Sequence, residues 1–438
     1  MEGFRFGFGE EANAVSLWDG QSMSGVSVDS SGRLKVGTAT LEFAGTDLKN
    51  SGQTDLLLKD SHGTHKAAVG TSLTAEGELA DIYYGTGKEA EADFSNSGES
   101  GLVIDLNNSS SYGKTTASVY NVQKVKGSEN ADNTMVGQDG KNNTLIAGDG
   151  GSNRLYGGKG GRDRMVGSST SEDTFYFGAD SGRDEIENFG EEDAIGLLGG
   201  SLSEAAFDAS GRLKLGWQDE KGNSSRLTFT EDMKDKVISY DIGSGLHGAK
   251  FGEKLTVTDD TADFVDYYSS GSKEGDGELD LSGGSDKKVW LDGSHGAVFD
   301  GFNKIDATAA TGDMELAGGE QGDSILGGQG ESSLWGGAGG NDFLTGGSGY
   351  NEFYFGRGEG RDVITDSNNG DKVMLYNVAT EDLDMARTGM DASGNMVIRL
   401  LDGSSLTIQN YGAQGATTFQ LADSTWNYDR ASGTWSRE

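Results

Sequence analysis

Side chains that could bind a cation recur at a fixed spacing in two glycine-rich segments of this chain. In residues 127–177 they stand ten positions apart, at Asn133, Asn143, Asn153, Asp163 and Asp173. In residues 318–355 the corresponding positions are Asp323, Ser332, Asp342 and Asn351. Carboxylate and amide oxygens are the ligands that a hard cation such as Ca2+ prefers. Asparagine in a tight turn can equally hydrogen-bond the backbone and form stacked amide ladders without metal, so both interpretations stay open.

The elements that must position these side chains follow from the apolar residues between them. In the first segment an apolar residue stands two positions after each polar one: Met135, Leu145, Leu155, Met165 and Phe175. In the second segment the predicted inward positions are Ile325, Leu334, Leu344 and Tyr354. Units this short suit one half-coil of a parallel β-solenoid, in which stacked coils bury an apolar column that no single unit could bury. The sequence therefore predicts an all-β protein, a parallel β-solenoid with attached β segments.

Longer stretches of the chain also repeat. FYFGADSGRDEIENF (175–189) matches FYFGRGEGRDVITDS (353–367) without a gap, and DASGRLKLG (208–216) has counterparts at 29–37 and 391–400. These matches predict tandem modules of about 180 residues. The predicted segments are a partial module at 1–60, pre-array coils at 61–126, the first array at 127–177, a closing block and β segment at 178–240, pre-array coils at 241–317, the second array at 318–355, and a closing block and C-terminal β segment at 356–438. Ser201–Phe207 begins like a capping box and is predicted to form one helical turn.

The repeated unit GGxGxDxUx, in which U is apolar, resembles the calcium-binding nonapeptide of the RTX (repeats-in-toxin) family. Residues 127–177 and 318–355 are similar to it, and the resemblance implies a β-roll in which aspartates two units apart, together with turn carbonyls, hold Ca2+ between turns. The ligand positions that it implies here are Asp323, Asp342, Asp163, Asp173, Gly318 and Gly336. Asp323 and Asp342 are two units apart with both carboxylates present, so we expect the tightest calcium site there.

The first array departs from the family pattern. Asp163 would face Asn143, and Asp173 would face Asn153, so these sites would carry half the charge of a paired aspartate site. The units are also ten residues long instead of nine. We therefore expect weaker calcium binding, or none, in this array.

The composition excludes several classes of function. The 438 residues include 35 Lys and Arg against 71 Asp and Glu, a formal net charge of −36. Such a surface repels nucleic acid and anionic lipid and attracts divalent cations. There is no cysteine for a disulfide or a thiolate site, and no apolar stretch approaches the ~20 residues of a membrane span. Glycine numbers 73 and proline is absent, which favours many tight turns joined by continuous strand ladders.

No catalytic motif stands out in the sequence. HExxH, the G-x-S-x-G elbow and the P-loop are absent, and the GDSI string at 322–325 falls in register with the second array. The four histidines lie in Gly- and Ser-rich sequence, at His62, His65, His247 and His295. The tryptophans could line a glycan surface, but stacking in the core or between coils is favoured.

We therefore expect a non-enzymatic, extracellular or cell-surface protein, a calcium-dependent scaffold in a surface layer, fibre or tandem adhesin. The alternative is a calcium-binding accessory or secretion region of a secreted RTX enzyme or toxin. Head-to-tail self-association is expected, with Trp426, Tyr428 and Trp435 of one copy packing near Phe8 of the next, because uncapped strand edges template another chain. The competing explanation is a slice of a longer chain whose neighbours cover both ends. A cell-surface glycan or protein is a further candidate partner.

Overall fold

The computed structural model describes residues 5–6, 14–16, 26–29, 31, 33–36, 39–41, 52–60, 63–99, 101–108, 116–234, 236–241, 246–252, 254–257, 265–269, 277–281, 287–292, 299–368, 370–412 and 418–438. These residues form β-strands and turns, with one 3-10 turn at Thr380–Asp382. In this described part, no helix is long and apolar enough to cross a membrane. The all-β class predicted from the sequence is confirmed.

The chain divides into two compact units, which are described separately. The first comprises residues 1–233 with 238–246, and the second comprises 234–237 with 247–438. The seven segments predicted from the sequence stay predictions.

The strands of the first unit are β1 (Arg5–Phe6), β2 (Ala14–Ser16), β3 (Val26–Val28), β4 (Leu34–Val36), β5 (Ala39–Leu41), β6 (Thr54–Asp60), β7 (Gly63–Gly70), β8 (Ser72–Thr74), β9 (Ile82–Gly85), β10 (Glu91–Asp93), β11 (Gly101–Asp105), β12 (Ser118–Tyr120), β13 (Lys124–Lys126), β14 (Asp132–Val136), β15 (Thr144–Ile146), β16 (Asn153–Tyr156), β17 (Arg164–Val166), β18 (Asp173–Phe177), β19 (Arg183–Glu187), β20 (Ala194–Leu197), β21 (Ser201–Phe207), β22 (Leu213–Gln218), β23 (Ser224–Phe229) and β24 (Ile238–Asp241).

The strands of the second unit are β25 (Leu246–Gly252), β26 (Lys254–Thr256), β27 (Val265–Ser269), β28 (Gly277–Asp280), β29 (Lys287–Trp290), β30 (Phe299–Asp300), β31 (Phe302–Asp306), β32 (Met314–Ala317), β33 (Ser324–Leu326), β34 (Ser332–Trp335), β35 (Phe343–Thr345), β36 (Asn351–Phe355), β37 (Arg361–Ile364), β38 (Lys372–Leu375), β39 (Gly389–Met390), β40 (Met396–Arg399), β41 (Ser405–Ile408), β42 (Thr418–Leu421), β43 (Thr425–Asp429) and β44 (Thr434–Arg437).

In the first unit, consecutive strands alternate between two parallel sheets. One sheet has the order β13-β15-β17-β19, and the other has the order β11-β14-β16-β18-β20. From β13 onward, each of these strands pairs with the strand two places further along the chain, whereas β11 pairs with β14. Two strands and two turns make one coil, which is the parallel β-solenoid that the sequence predicts.

Apolar side chains from the two sheets fill the inside of this solenoid. The predicted inward residues are all fully buried: Met135, Leu145, Leu155, Met165 and Phe175. The register explains the column, since Leu145 pairs with Met165 in one sheet and Leu155 pairs with Phe175 in the other. Each coil thus rests its apolar residue on the one in the coil before it.

The second unit repeats this architecture, with sheet orders β31-β33-β35-β37 and β29-β32-β34-β36-β38. Ile325, Leu334 and Leu344 are buried as predicted. The prediction that Tyr354 points inward is wrong, because Phe353 pairs with Leu334 and is fully buried. Successive side chains of a strand face opposite sides, so Tyr354 faces outward and stacks on Trp335 with 3.9 Å between ring centroids.

Antiparallel strands follow the last coil of each array. β21, β22 and β23 form a meander whose last strand lies parallel to β19, and β39, β40 and β41 do the same against β37. The turns match as well: the carboxylate of Asp208 accepts the backbone N–H groups two and four residues later at 2.9 and 3.2 Å, and that of Asp391 does so at 2.8 and 2.9 Å. The module repetition therefore extends into the closing blocks.

The helical turn predicted for Ser201–Phe207 is wrong, because this segment is strand β21. It pairs antiparallel with β22 from Ser201 to Phe207, with a β-bulge at Ser203. Strand pairing gives its backbone groups partners, whereas a single helical turn leaves most of them without one.

The buried aromatic column sets the stability of the second solenoid. Phe353→Ala is expected to lower the free energy of unfolding by about 3–5 kcal/mol, because it removes a ring from a fully buried position. The matched control is Phe343→Ala, since Phe343 lies in the same unit with half of its surface exposed and should change stability by about 0.5 kcal/mol or less. Denaturant unfolding of both variants measures the difference, and equal losses would contradict the assigned inward face.

Candidate metal centre

The polar residues of the repeats form columns at the starts of the strands, where each turn leads into the next strand. The name carboxyl wall is used here for Asn143, Asp163 and Asp184 of the first unit and Asp323, Asp342 and Asp362 of the second. The name amide wall is used for Asn133, Asn153, Asp173 and Asp193 of the first unit and Ser332, Asn351 and Asp371 of the second. All of these side chains are buried.

One type of hydrogen bond recurs in these columns, although Asn153 N–H donates instead to Glu172 O at 3.2 Å. The backbone N–H at the repeat position of one coil donates to the side-chain oxygen of the next coil, as from Asp163 to Asp184 Oδ1 at 3.0 Å and from Asp342 to Asp362 Oδ1 at 3.1 Å. Asp323 donates to Asp342 Oδ1 in the same way at 2.8 Å. The fold therefore uses the first oxygen of the wall aspartates that accept such a bond, and their second oxygen distinguishes the walls.

On the amide wall of the first unit, side-chain amides satisfy the oxygens. Asn133 Nδ2 donates to Asn153 Oδ1, and Asn153 Nδ2 donates to Asp173 Oδ1, both at 2.6 Å. The second oxygen of Asp173 accepts the Ser168 N–H at 2.5 Å, and that of Asp193 accepts the Gly190 N–H at 2.8 Å. This wall closes its polar column with protein donors.

On the carboxyl wall of the first unit, three buried oxygens have no donor among the described residues: Asn143 Oδ1, Asp163 Oδ2 and Asp184 Oδ2. Burial raises the pKa of Asp163 to about 6. Burial raises the pKa of Asp184 to about 8, and the charge of Asp163 adds to the shift. Both shifts have the cause expected of buried carboxyls that lack a compensating cation.

The second unit has the same pair at the equivalent coils. Asp342 Oδ2 and Asp362 Oδ2 are buried and meet no donor within the described ranges. Burial raises the pKa of Asp342, and the charges of Asp362 and Asp323 raise it further. Glu359 lies beside this pair: burial raises its pKa to about 7, and the charge of Asp342 contributes.

The amide wall of the second unit is satisfied like that of the first. Ser332 N–H donates to Asn351 Oδ1 at 3.1 Å, and Asn351 N–H donates to Asp371 Oδ1 at 2.9 Å. The second oxygen of Asp371 accepts the Asn368 N–H at 2.5 Å. Both units therefore have one satisfied wall and one wall with orphaned carboxyl oxygens.

Glycines in the turns leave space beside these carboxyls that a side chain would fill. A Cβ on Gly336 would lie 2.4 Å from Asp342 Oδ2, and one on Gly318 would lie 2.4 Å from Asp323 Oδ2. Neither contact is tolerable, so only glycine fits at these two positions. The structure thus places Gly318 and Gly336 against the aspartates with which the sequence grouped them.

The structure brings the predicted residues together in the predicted pairs. Asp323 lies next to Asp342 in one column, but Asp323 Oδ2 accepts the Gly319 N–H at 2.7 Å and is not orphaned. Asp163 and Asp173 face Asn143 and Asn153, as expected from their spacing.

Sequence reasoning missed Asp184, Asp362 and Glu359, which lie in the closing blocks. A signal was present, because the gapless match of SGRDEI with EGRDVI puts an aspartate at the same place in both modules. These aspartates, and not Asp323, complete the orphaned pairs.

The donors of the carboxyl wall fit a hard cation. Carboxylate, amide and turn carbonyl oxygens are the ligand types of Ca2+, and orphaned buried oxygens beside glycine cradles are the groups that a cation would satisfy. No cluster of three or more His, Cys, Asp or Glu side chains with metal-ligand geometry occurs among the described residues. A cation here would be held by a carboxyl pair together with amide and backbone oxygens.

Of the other residues noted in the sequence, some have structural roles and some lie outside the described residues. The GDSI string lies in a turn and the start of β33, as predicted from its register. Trp217 Nε1 donates to Gly199 O at 2.5 Å, and Trp335 stacks between coils. Phe8, Trp18, His62 and His295, and the side chains of His65 and His247, lie outside the described residues.

Comparison with known proteins gives limited matches. No protein-family model and no curated protein matches the chain. Among solved structures, the chain is similar to the extracellular lipase LipA from Serratia marcescens, with 14% sequence identity and a TM-score of 0.19 over 67% of this chain. The chain spans 42% of the length of that lipase.

The orphaned carboxyls predict a pH dependence in the absence of divalent cations. A carboxyl whose pKa is raised on folding stabilises the fold fully below its unfolded pKa of about 4, and this contribution is lost as pH rises through the folded pKa. Between pH 4 and 8 the stability of the chelated protein should therefore fall because of Asp184, whose folded pKa is about 8. Asp184→Asn should flatten the profile, since an amide does not titrate.

The measurement is denaturant unfolding in a chelator at several pH values. The control is Asp300→Asn, which alters an exposed carboxyl and should keep the wild-type slope. Parallel profiles for wild type and Asp184→Asn would contradict the assigned environment of this carboxyl.

Proposed function

We propose that this chain is a calcium-binding protein of the RTX type that works as a non-enzymatic scaffold outside the cell. The observation that carries the proposal is the repeated pair of buried carboxyl oxygens without donors, Asp163 with Asp184 and Asp342 with Asp362. The parallel β-solenoid and the glycine-rich nonapeptides support it. Calcium is the proposed ion because every available donor is an oxygen.

Repulsion within each orphaned carboxyl pair favours a bound cation. Two carboxylates buried side by side repel each other and have lost their hydration, so without a cation one of the pair must take up a proton. A cation that binds only the folded chain stabilises it by mass action, by about 2.7 kcal/mol at a hundredfold excess over its Kd. Bound calcium would therefore convert an unfavourable buried pair into a cross-link between coils.

A scaffold role is proposed because the polar pairs recur at equivalent coils of both units. A repeated pair inside a stack of coils serves the stack, whereas an active site requires a unique arrangement in an accessible cleft. A scaffold of this kind would serve in a surface layer, a fibre or a tandem adhesin, with head-to-tail self-association and a cell-surface glycan or protein as partners.

The calcium proposal is tested by titration calorimetry and thermal unfolding of the full chain. Wild type should bind calcium and melt at a higher temperature when it is bound. Asp163→Asn/Asp342→Asn should lower the calcium stoichiometry and reduce the increase in Tm, because each substitution removes one carboxylate from an orphaned pair. Asp300→Asn, in which an exposed carboxyl is changed, should behave as wild type. Unchanged stoichiometry and Tm response in the double variant would rule out these sites.

The scaffold proposal is tested by light scattering over a range of protein concentrations, with calcium and with a chelator. If calcium orders the coils for assembly, the mean mass should rise with concentration in calcium and stay lower in the chelator, since strand edges template another chain. Monomers at every concentration in both conditions would contradict self-association.

A further inference from the structure

We infer that each unit binds its cation on the carboxyl wall alone, and that the amide wall is locked by its own side chains and keeps its structure without metal. This inference rests on the proposed calcium-binding function and adds which half of each coil responds to the ion. The residues that decide between the two behaviours are Asn153 and Asn351 on the amide walls, against Asp163 and Asp342 on the carboxyl walls.

The amide group supplies what a cation would otherwise supply. Asn153 Nδ2 donates to Asp173 Oδ1 at 2.6 Å and to Gly148 O at 3.0 Å, so one NH2 group joins a carboxyl to a turn carbonyl. Carboxyl and carbonyl oxygens of this kind are the ligands that Ca2+ would take. Because the NH2 group carries partial positive charge, it both satisfies these oxygens and repels an ion from the same place. Asn153 is therefore a specificity-determining residue that excludes the cation.

Asparagine on the carboxyl wall has the same orientation as Asn153, but its oxygen meets no donor among the described residues. Asn143 Nδ2 donates to Asp163 Oδ1 at 3.0 Å, but its own Oδ1 is buried without a donor among the described residues, as are the second oxygens of Asp163 and Asp184. Its oxygen therefore adds to the orphaned set. The wall is open at the next step of the column, where no amide lies between Asp163 and Asp184 and the second oxygens of both carboxyls lack a donor.

The division falls on the same sheet in both units. The orphaned pairs lie at β17 and β19 in the first unit and at β35 and β37 in the second, which occupy equivalent places before and in the closing block. The satisfied columns lie at β16 and β18 and at β34 and β36. Since the two modules have diverged in many other residues, an identical division in both argues against coincidence.

The consequence is a one-sided response to calcium. Without the ion, the strands of the amide wall keep their backbone hydrogen bonds and the hydrogen bonds between their side chains. Strands of the carboxyl wall then have a buried carboxyl pair that must be protonated or opened to water, so their backbone amides should exchange faster.

Hydrogen exchange of the full chain, with calcium and with a chelator, tests this directly. In calcium, both walls should be protected. In the chelator, peptides covering 183–187 and 361–364 should exchange at least tenfold faster, whereas peptides covering 153–156 and 332–335 should change less than twofold. Equal acceleration of both walls, or no acceleration in either while calorimetry shows calcium binding, would overturn the inference and leave the proposed function standing. Absence of any calcium binding would overturn the proposed function itself.

Exchanging the deciding residues provides a second test. Asn153→Asp keeps the oxygen that accepts from Asn133 but replaces the donating amide with a second carboxylate beside Asp173. The variant should bind additional calcium, and protection of 153–156 should become calcium-dependent. Asn351→Asp in the second unit is the parallel variant and reports on the inference if Asn153→Asp does not fold.

The converse variant is Asp184→Asn. Its oxygen can still accept the Asp163 N–H, and its new amide can donate to the orphaned Asp163 Oδ2. Protection of 183–187 should then be the same in calcium and in the chelator. Retained calcium dependence at 183–187 in this variant, or unchanged calcium stoichiometry in both asparagine-to-aspartate variants, would overturn the inference.

Discussion

The stacking of one buried polar side chain on the next, at the starts of the strands of the two arrays, is the constraint on which the rest of the structure depends. Neighbouring strands lie about 4.8 Å apart, so the repeat position of one coil sits directly against that of the next. The shared bond from the backbone N–H of one coil to the side-chain oxygen of the next fixes the register of the stack. Register in turn places Leu145 on Met165 and Leu155 on Phe175, because a slip of one residue would turn the apolar column outward.

The two successive glycines of a turn are required for different reasons, the first for space and the second for its backbone conformation. Gly157 and Gly336 have no unusual φ, but a Cβ on them would lie 2.8 and 2.4 Å from a carboxyl oxygen of Asp163 and Asp342. The next glycines, Gly158 and Gly337, both have φ of 103°, which other residues rarely adopt. The first glycine of each pair therefore makes room for the polar column, and the second reverses the chain.

The solenoid and its apolar column could be predicted from the sequence because they depend on a period, and a period is visible without structure. Tyr354 was assigned wrongly because the FYF triplet offers three aromatic residues and the period does not say which face each one takes. The strand at 201–207 was missed because its partner, β22, is defined only by the fold. Asp184 and Asp362 lie beyond the last glycine pair, where the period ends, although the two closing blocks repeat each other.

The difference between the walls could not be predicted, because Asn133, Asn143 and Asn153 look alike in the sequence. What separates them is whether the amide oxygen meets a donor: Asn133 Oδ1 accepts the Ser128 N–H and Asn153 Oδ1 accepts from Asn133 Nδ2, whereas Asn143 Oδ1 has no donor among the described residues. The amide nitrogens of Asn143 and Asn153 both reach a turn carbonyl and the carboxyl of the next coil, so their donors do not distinguish them. A sequence pattern gives the position of a polar group but not the identity of its partner.

The two carboxyl walls share the same arrangement of coils but differ in charge, and this difference bears on the proposed dependence on a cation. The positions of Asn143 and Ser181 in the first unit are occupied by Asp323 and Glu359 in the second. Ser181 Oγ and Glu359 Oε2 accept equivalent backbone N–H groups, at 2.9 and 2.5 Å, so the exchange keeps the turn and adds a charge. Burial raises the pKa of Glu359, and its charge raises that of Asp362 in turn. Because repulsion among buried carboxylates grows with each added charge, we propose that the second unit would gain more from a bound cation than the first, although both are built on the same coils.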